Sequence, residues 1–104
     1  MGMLVFRVGD NINRYLTVSE NNQVTRTAFV KTIYTDLVTL IDNAQANLAD
    51  DNLSEMAKIS FNQLLGMYQR RLDFITQHGR EFINNGAIKA ESDTNFSLEY
   101  YSPA

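Results

Sequence analysis

The sequence predicts a mainly helical fold, in which an antiparallel two-helix hairpin completes a four-helix bundle by dimerising. Three observations predict it. Residues 24–49 and residues 53–84 carry apolar side chains at the spacing of amphipathic helices. A short polar turn at residues 50–52 separates these two segments. The one proline, Pro103, is the penultimate residue, so no proline interrupts either helix.

The N-terminal segment, residues 1–23, supports two interpretations. Residues 3–8 alternate only loosely, with Leu4, Phe6 and Val8 on one strand face, and residues 12–18 can form a second strand, which gives a β-hairpin around residues 9–11. One face of these strands would carry Leu4, Phe6, Val8, Ile12, Leu16 and Val18. The competing interpretation is helical, because residues 17–20 match a capping box. An α+β fold is therefore the alternative to a purely helical one.

The first helix is predicted over residues 24–49. Its apolar residues recur at intervals of three and four, which is typical of a helix that packs on a partner. The members of this stripe are Val30, Ile33, Tyr34, Leu37, Leu40, Ile41, Ala44, Asn47 and Leu48. Five threonines in the same segment are poor helix formers. We therefore expect packing, rather than intrinsic propensity, to stabilise this helix.

The second helix is predicted over residues 53–84, with Asn52 or Ser54 as its N-cap. Its broad apolar face includes Phe61, Leu64, Tyr68, Leu72, Ile75 and Phe82. Two glycines interrupt the pattern, and we expect close helix packing at Gly66 and a local break at Gly79. The polar residues 94–104 are predicted to form a mobile tail.

The width of the apolar face predicts a partner. A bare hairpin has a single seam and buries little surface, and small folds often finish their core by oligomerising. We therefore expect a homodimer, or a heterodimer with another helical protein. The side chains identified on both stripes would carry the packing or the pairing.

Composition argues against most other functions. The net charge of −3 and the pI near 4.9 disfavour nucleic-acid binding, and the absence of cysteine excludes thiol chemistry. The single histidine, His78, lies near Asp73 but has no nucleophile motif, and the carboxylates of residues 50–55 lack calcium-loop spacing. Arg70 and Arg71 are interpreted as forming ion pairs along the helix. We expect no catalysis, no cofactor and no metal.

Targeting signals are also sparse. The apolar runs are too short to span a bilayer, and the first residues do not form a secretory signal. The protein is therefore expected to be cytoplasmic, and any export would proceed without a cleaved signal peptide.

The outline of residues 24–104 resembles the small WXG-type helical-hairpin proteins of type VII secretion. In that family the turn carries Trp-x-Gly, and an export signal with an aromatic residue four positions before an aspartate follows the second helix. Here the turn lacks both residues of the motif, and Lys89 stands four residues before Asp93, with Phe96 as a loose substitute for the aromatic. The resemblance is closer to the diverged helical partners of LXG toxins, which often lack the turn motif. It implies a secretion substrate or a toxin-partner or targeting factor.

The alternative is a structural or assembly protein of a phage or mobile element, with an N-terminal β-hairpin packed on two helices. A strand pair over residues 3–18 favours this alternative, and a helix from about residue 12 favours the secretion interpretation. A small enzyme that uses His78 and Asp73 is a third, disfavoured hypothesis.

Overall fold

A computed structural model of the chain describes residues 3–17, 22–85 and 98–101. Two long antiparallel helices form most of this structure, as the sequence predicts. A small antiparallel sheet accompanies them. In chain order the elements are β1 (Met3–Arg7), β2 (Asn13–Thr17), α1 (Gln23–Leu48), α2 (Glu55–Asn85) and β3 (Leu98–Tyr101).

Helix α1 begins at a side-chain cap. The Asn22 carboxamide oxygen accepts a hydrogen bond from the Thr25 backbone N–H at 2.9 Å. Three of the threonines that lower helix propensity turn their hydroxyls back on the helix. Thr27, Thr32 and Thr39 each donate to the carbonyl four residues earlier, at distances of 2.8 to 3.0 Å. The segment stays helical because its buried side is fixed by packing.

Helix α2 begins after a short turn. The Asp50 carboxylate accepts from the Asn52 backbone N–H at 2.9 Å, which closes the turn. The Ser54 hydroxyl then accepts from the Ala57 N–H at 3.2 Å. Ser54 is therefore the N-cap of α2, and Asn52 belongs to the turn.

The strand interpretation of the N-terminal segment is confirmed. The helical interpretation of residues 12–18 is wrong for residues 12–17, which are the ones that the structure describes. Strands β1 and β2 pair antiparallel, with Arg7 opposite Asn13. The backbone N–H groups of Val8 and Gly9 both donate to the carbonyl of Ile12, at 2.9 and 3.1 Å, which closes the predicted turn. Alternation of apolar residues therefore outweighs the capping-box match in this segment.

The C-terminal residues differ from the prediction of a mobile tail. Leu98–Tyr101 form β3, which pairs antiparallel with β1 so that β1 is the central strand. Two adjacent tyrosines in this strand favour extended structure, a signal that the overall polarity of the tail concealed. The other residues of the predicted tail lie outside the described ranges.

The core lies between the sheet and the two helices. Phe6, Val8 and Leu16 of the hairpin are buried and pack with α1 and α2 in one cluster. Phe6 lies 6.3 Å from Phe74 between ring centroids, and Phe29 lies 6.1 Å from Phe82. The chain's own sheet therefore covers one side of the wide apolar face that predicted a second hairpin. Within the described residues, no second copy is needed to bury that side.

Candidate docking groove between the helices

Most of the predicted packing residues are in the core of the chain itself. The buried ones are Ile33, Leu37, Ile41, Tyr68, Ile75 and Phe82. The partly buried ones that pack against them are Val30, Leu40, Leu64 and Leu72, and Phe61 is half-buried. Phe29 is also buried, although the predicted stripe omitted it. Its position four residues before Ile33 is the signal that could have found it.

The pair of helices has two faces, and the sheet covers one of them. On α1, Asp36 pairs with Arg14 of β2 at 2.6 Å, whereas Tyr34 lines a groove between the helices. On α2, Phe74 packs on Phe6 of β1, whereas Thr76 lines the same groove. A helix turns by about 100° per residue. Side chains two positions apart, such as Tyr34 and Asp36 or Phe74 and Thr76, therefore lie on opposite sides of their helix. The groove therefore lies on the face of the hairpin away from the sheet, and we call it the outer groove.

The outer groove has an apolar floor and a volume of about 580 Å³. Val30, Ile75 and Ile83 contribute apolar surface, and Tyr34 stands beside them with 48% of its surface exposed. At one end of the groove the Arg26 side chain donates to the backbone carbonyl of Ile83 at 3.0 Å. This bond ties α1 to the last turn of α2, which fixes the spacing of the groove walls.

Gly79 allows α1 and α2 to lie close together beneath the groove, because it has no side chain. A Cβ at this position would lie 3.1 Å from Cγ1 of Val30 on the facing helix. The expectation of a local break at Gly79 is wrong, because α2 continues through it to Asn85. Within the described residues, the expectation of close helix packing at Gly66 is also wrong. Of their atoms, a Cβ there would meet only the Arg70 Nη1 of its own helix, at 3.6 Å.

The two glycines give a matched prediction. Gly66→Ala is expected to stabilise the protein by about 0.5–1 kcal/mol, because alanine restricts the unfolded chain and meets no obstacle. Gly79→Ala is expected to destabilise it, because Val30 is branched at Cβ and its rotamer cannot turn away freely. Urea midpoints of both variants measure the difference. In a Val30→Ala background the penalty at Gly79 should shrink, and an unchanged penalty would contradict the contact.

The rim of the outer groove is cationic. Lys31 on α1 and Arg80 on α2 are both exposed, and they are the two charged residues that line it in the part of the chain that the structure describes. Within the described residues, neither belongs to one of the ion pairs found. One positive charge therefore stands on each wall of an apolar groove, in a chain whose net charge is −3.

Arg71 was interpreted as part of ion pairs along α2, and the structure places its side chain inside the protein instead. Only 4% of its surface is exposed, and its Nη1 donates to the backbone carbonyl of Val8 at 3.0 Å. Burial lowers the pKa of the Arg71 guanidinium, while the carboxylate of Asp10 opposes that shift. Burial likewise raises the pKa of the neighbouring Tyr68 phenol, and Asp10 adds to the rise. Arg71 therefore links the β1–β2 turn to α2 from inside the protein.

The candidate catalytic pair does not line the outer groove. His78 Nδ1 lies 3.8 Å from a carboxylate oxygen of Glu81, and its ring centroid lies 4.8 Å from that of Phe74. Asp73 is exposed on α2. Within residues 3–17, 22–85 and 98–101, no group of three or more acidic or histidine side chains is placed to hold a metal ion. Neither described helix is long and apolar enough to cross a membrane.

Sequence reasoning found the floor of the groove but not its rim. Val30 and Ile75 belong to the predicted stripes, whereas the sequence analysis assigned no role to Lys31 or Arg80. A signal for them exists in the spacing, because residues 27, 31 and 34 on one wall and residues 76, 80 and 83 on the other follow the same steps of four and three. The proposed export-signal residues Lys89, Asp93 and Phe96 lie outside the described residues.

Comparisons of the chain with protein-family models, with curated proteins and with solved structures find no match. The geometry of the outer groove is therefore the basis on which a function can be proposed.

Proposed function

We propose that this protein is a non-enzymatic interaction protein that pairs with a helical segment through the outer groove. The observation that supports this most strongly is the apolar floor between α1 and α2 on the face that the sheet does not cover. Tyr34 keeps 48% of its surface exposed beside that floor. Amphipathic helices commonly bind in grooves of this kind, with their apolar side chains at intervals of three and four residues.

The shape of the groove walls suits a helix. Each wall presents residues at steps of four and three, so that the first and last are seven positions apart. Seven positions correspond to about 10 Å of a helix, or two turns of an incoming segment. A third helix laid between α1 and α2 would pack its ridges into this groove and bury Tyr34.

Two finer functions are compatible with such pairing. The first is a type VII secretion substrate or toxin-partner factor, which the resemblance of residues 24–104 implies, together with export that needs no cleaved signal. The second is a structural or assembly protein of a phage or mobile element. The strand pair of β1 and β2 supports the structural or assembly function. Proteins of the secretion family are helical hairpins, and under that interpretation a helix was expected from about residue 12.

Site-specific photocrosslinking in the producing organism tests the pairing. A benzophenone amino acid replaces either Tyr34, in the outer groove, or Tyr15, on β2. The two tyrosines are matched controls, because 48% and 54% of their surfaces are exposed. We expect a discrete adduct from position 34 and none of the same mass from position 15.

The adduct mass also identifies the type of partner. A band near twice 11.8 kDa indicates a second copy of the chain, and any other discrete mass indicates a different protein. Adducts that are equal from both positions, or absent from position 34, contradict pairing through the outer groove.

A further inference from the structure

We infer that the outer groove takes an amphipathic helix of a different protein, one with acidic residues on both flanks of its apolar stripe. This inference rests on the proposed function and specifies its partner. The observation behind it is the placement of one cation on each wall, Lys31 on α1 and Arg80 on α2. Among residues 3–17, 22–85 and 98–101, none of those that line the groove carries a carboxylate.

Complementarity of charge determines which helix is preferred. A helix whose apolar stripe lies on Val30 and Ile83, above the buried Ile75, has its two flanks beside Lys31 and Arg80. Acidic side chains on those flanks would pair with both cations, and basic side chains would be repelled. Because both cations are exposed, each pair contributes modestly and is weakened by salt. The expected preference is therefore about three- to tenfold in affinity rather than absolute.

A second copy of the chain is the less favourable occupant. In a symmetric dimer centred on the outer groove, the same surface patch of both copies would meet. Each copy would then bring its own Lys31 and Arg80 to the contact, and like charges across an interface are unfavourable. A helix with acidic flanks avoids this repulsion and still covers the apolar floor.

Three synthetic peptides serve as the probe. All are helical and share one stripe of leucines at intervals of three and four, and they carry Glu, Gln or Lys at the positions that flank it. Each is titrated into the full-length, ¹⁵N-labelled chain, and backbone amide shifts of Thr27, Tyr34 and Thr76 report on the outer groove. We expect the Glu peptide to bind about three- to tenfold more tightly than the Gln peptide, and the Lys peptide to bind most weakly. Raising the salt concentration should reduce these differences.

A charge reversal provides the control. The double variant Lys31→Glu/Arg80→Glu should reverse the order, so that the Lys peptide binds best. The matched variant Arg7→Glu/Arg70→Glu changes the net charge equally at two exposed positions that do not line the groove. This second variant should keep the original order, and a reversal there would mean that net charge, rather than the rim, selects the peptide.

The outcomes separate the two proposals. If the Gln peptide binds the groove as tightly as the Glu peptide, the acidic partner is wrong while pairing through the groove stands. If no peptide shifts the groove amides, pairing through the groove fails as well. If the chain alone forms a dimer that protects those amides, the occupant is a second copy and the inference is overturned.

Discussion

Leu37→Asp is expected to unfold the protein. Leu37 lies in the middle of α1 and has 0% of its surface exposed, within the cluster that joins both helices and the sheet. A carboxylate at this position would be buried without a partner, and the leucine contacts would be lost at the same time. We expect a loss above about 4 kcal/mol, which is a large share of the stability of a typical domain. Helical circular dichroism during thermal and urea denaturation measures it.

Thr35→Asp is the matched control for this substitution. Thr35 lies two residues earlier on the same helix and is exposed, so the same carboxylate meets water there. Its expected effect is within about 0.5 kcal/mol. A Leu37→Asp variant that kept the wild-type melting temperature would show that the assigned core is wrong.

Arg71→Met is expected to cause the second largest loss. Methionine retains much of the apolar length of the side chain but cannot donate to the Val8 carbonyl, which Arg71 reaches at 3.0 Å inside the protein. Hydrogen bonds from charged donors stabilise proteins by about 1.5–3 kcal/mol, and a buried carbonyl that loses its donor adds to the cost. A loss of about 2–3 kcal/mol corresponds to a fall of roughly 10–20 °C in melting temperature for a domain of this size.

Arg70→Met separates burial from charge. Arg70 is the preceding residue on α2 and is exposed, so its replacement removes the same charge without removing the link to the β1–β2 turn. We expect a change within about 0.5 kcal/mol. Hydrogen exchange should also show faster opening of the Val8 and Gly9 amides in Arg71→Met alone. Equal effects of the two substitutions would contradict the structural role of Arg71.

The hairpin was predictable because its signals are local. Apolar spacing within each helix, the turn near residues 50–52 and the cap at Ser54 all depend on residues close in sequence. The signals for β1 and β2 are also local, but loose alternation and a glycine turn gave the strand pair only as one of two interpretations of this segment.

Features that depend on the sheet could not be predicted in the same way. Phe29 is buried because β2 packs beside α1, and Arg71 is buried because the β1–β2 turn reaches α2. Both residues follow the helical period, since Phe29 precedes Ile33 by four positions and Arg71 precedes Ile75 by four, but the period does not say what covers them. β3 was missed for a similar reason, because its partner β1 lies at the other end of the chain. The wide apolar face was thus interpreted as a surface for a second hairpin, although the chain's own sheet covers part of it.

The candidate site was predictable in part. The stripes contained Val30 and Ile75, but most stripe members are used in the core, and periodicity alone does not say which ones remain at the surface. The cationic rim depends on how Lys31 and Arg80 face each other across two helices. That relation requires the register of α1 against α2, which the close approach of Gly79 to Val30 sets.

The sheet closes the core on one face, and we propose that the outer groove on the other face is open to a different protein. The absolute mass of the purified chain by light scattering, with circular dichroism on the same sample, tests this. We expect a folded, mainly helical monomer of 11.8 kDa. A stable dimer near twice that mass, or a monomer that does not fold without a second helical chain, would contradict it.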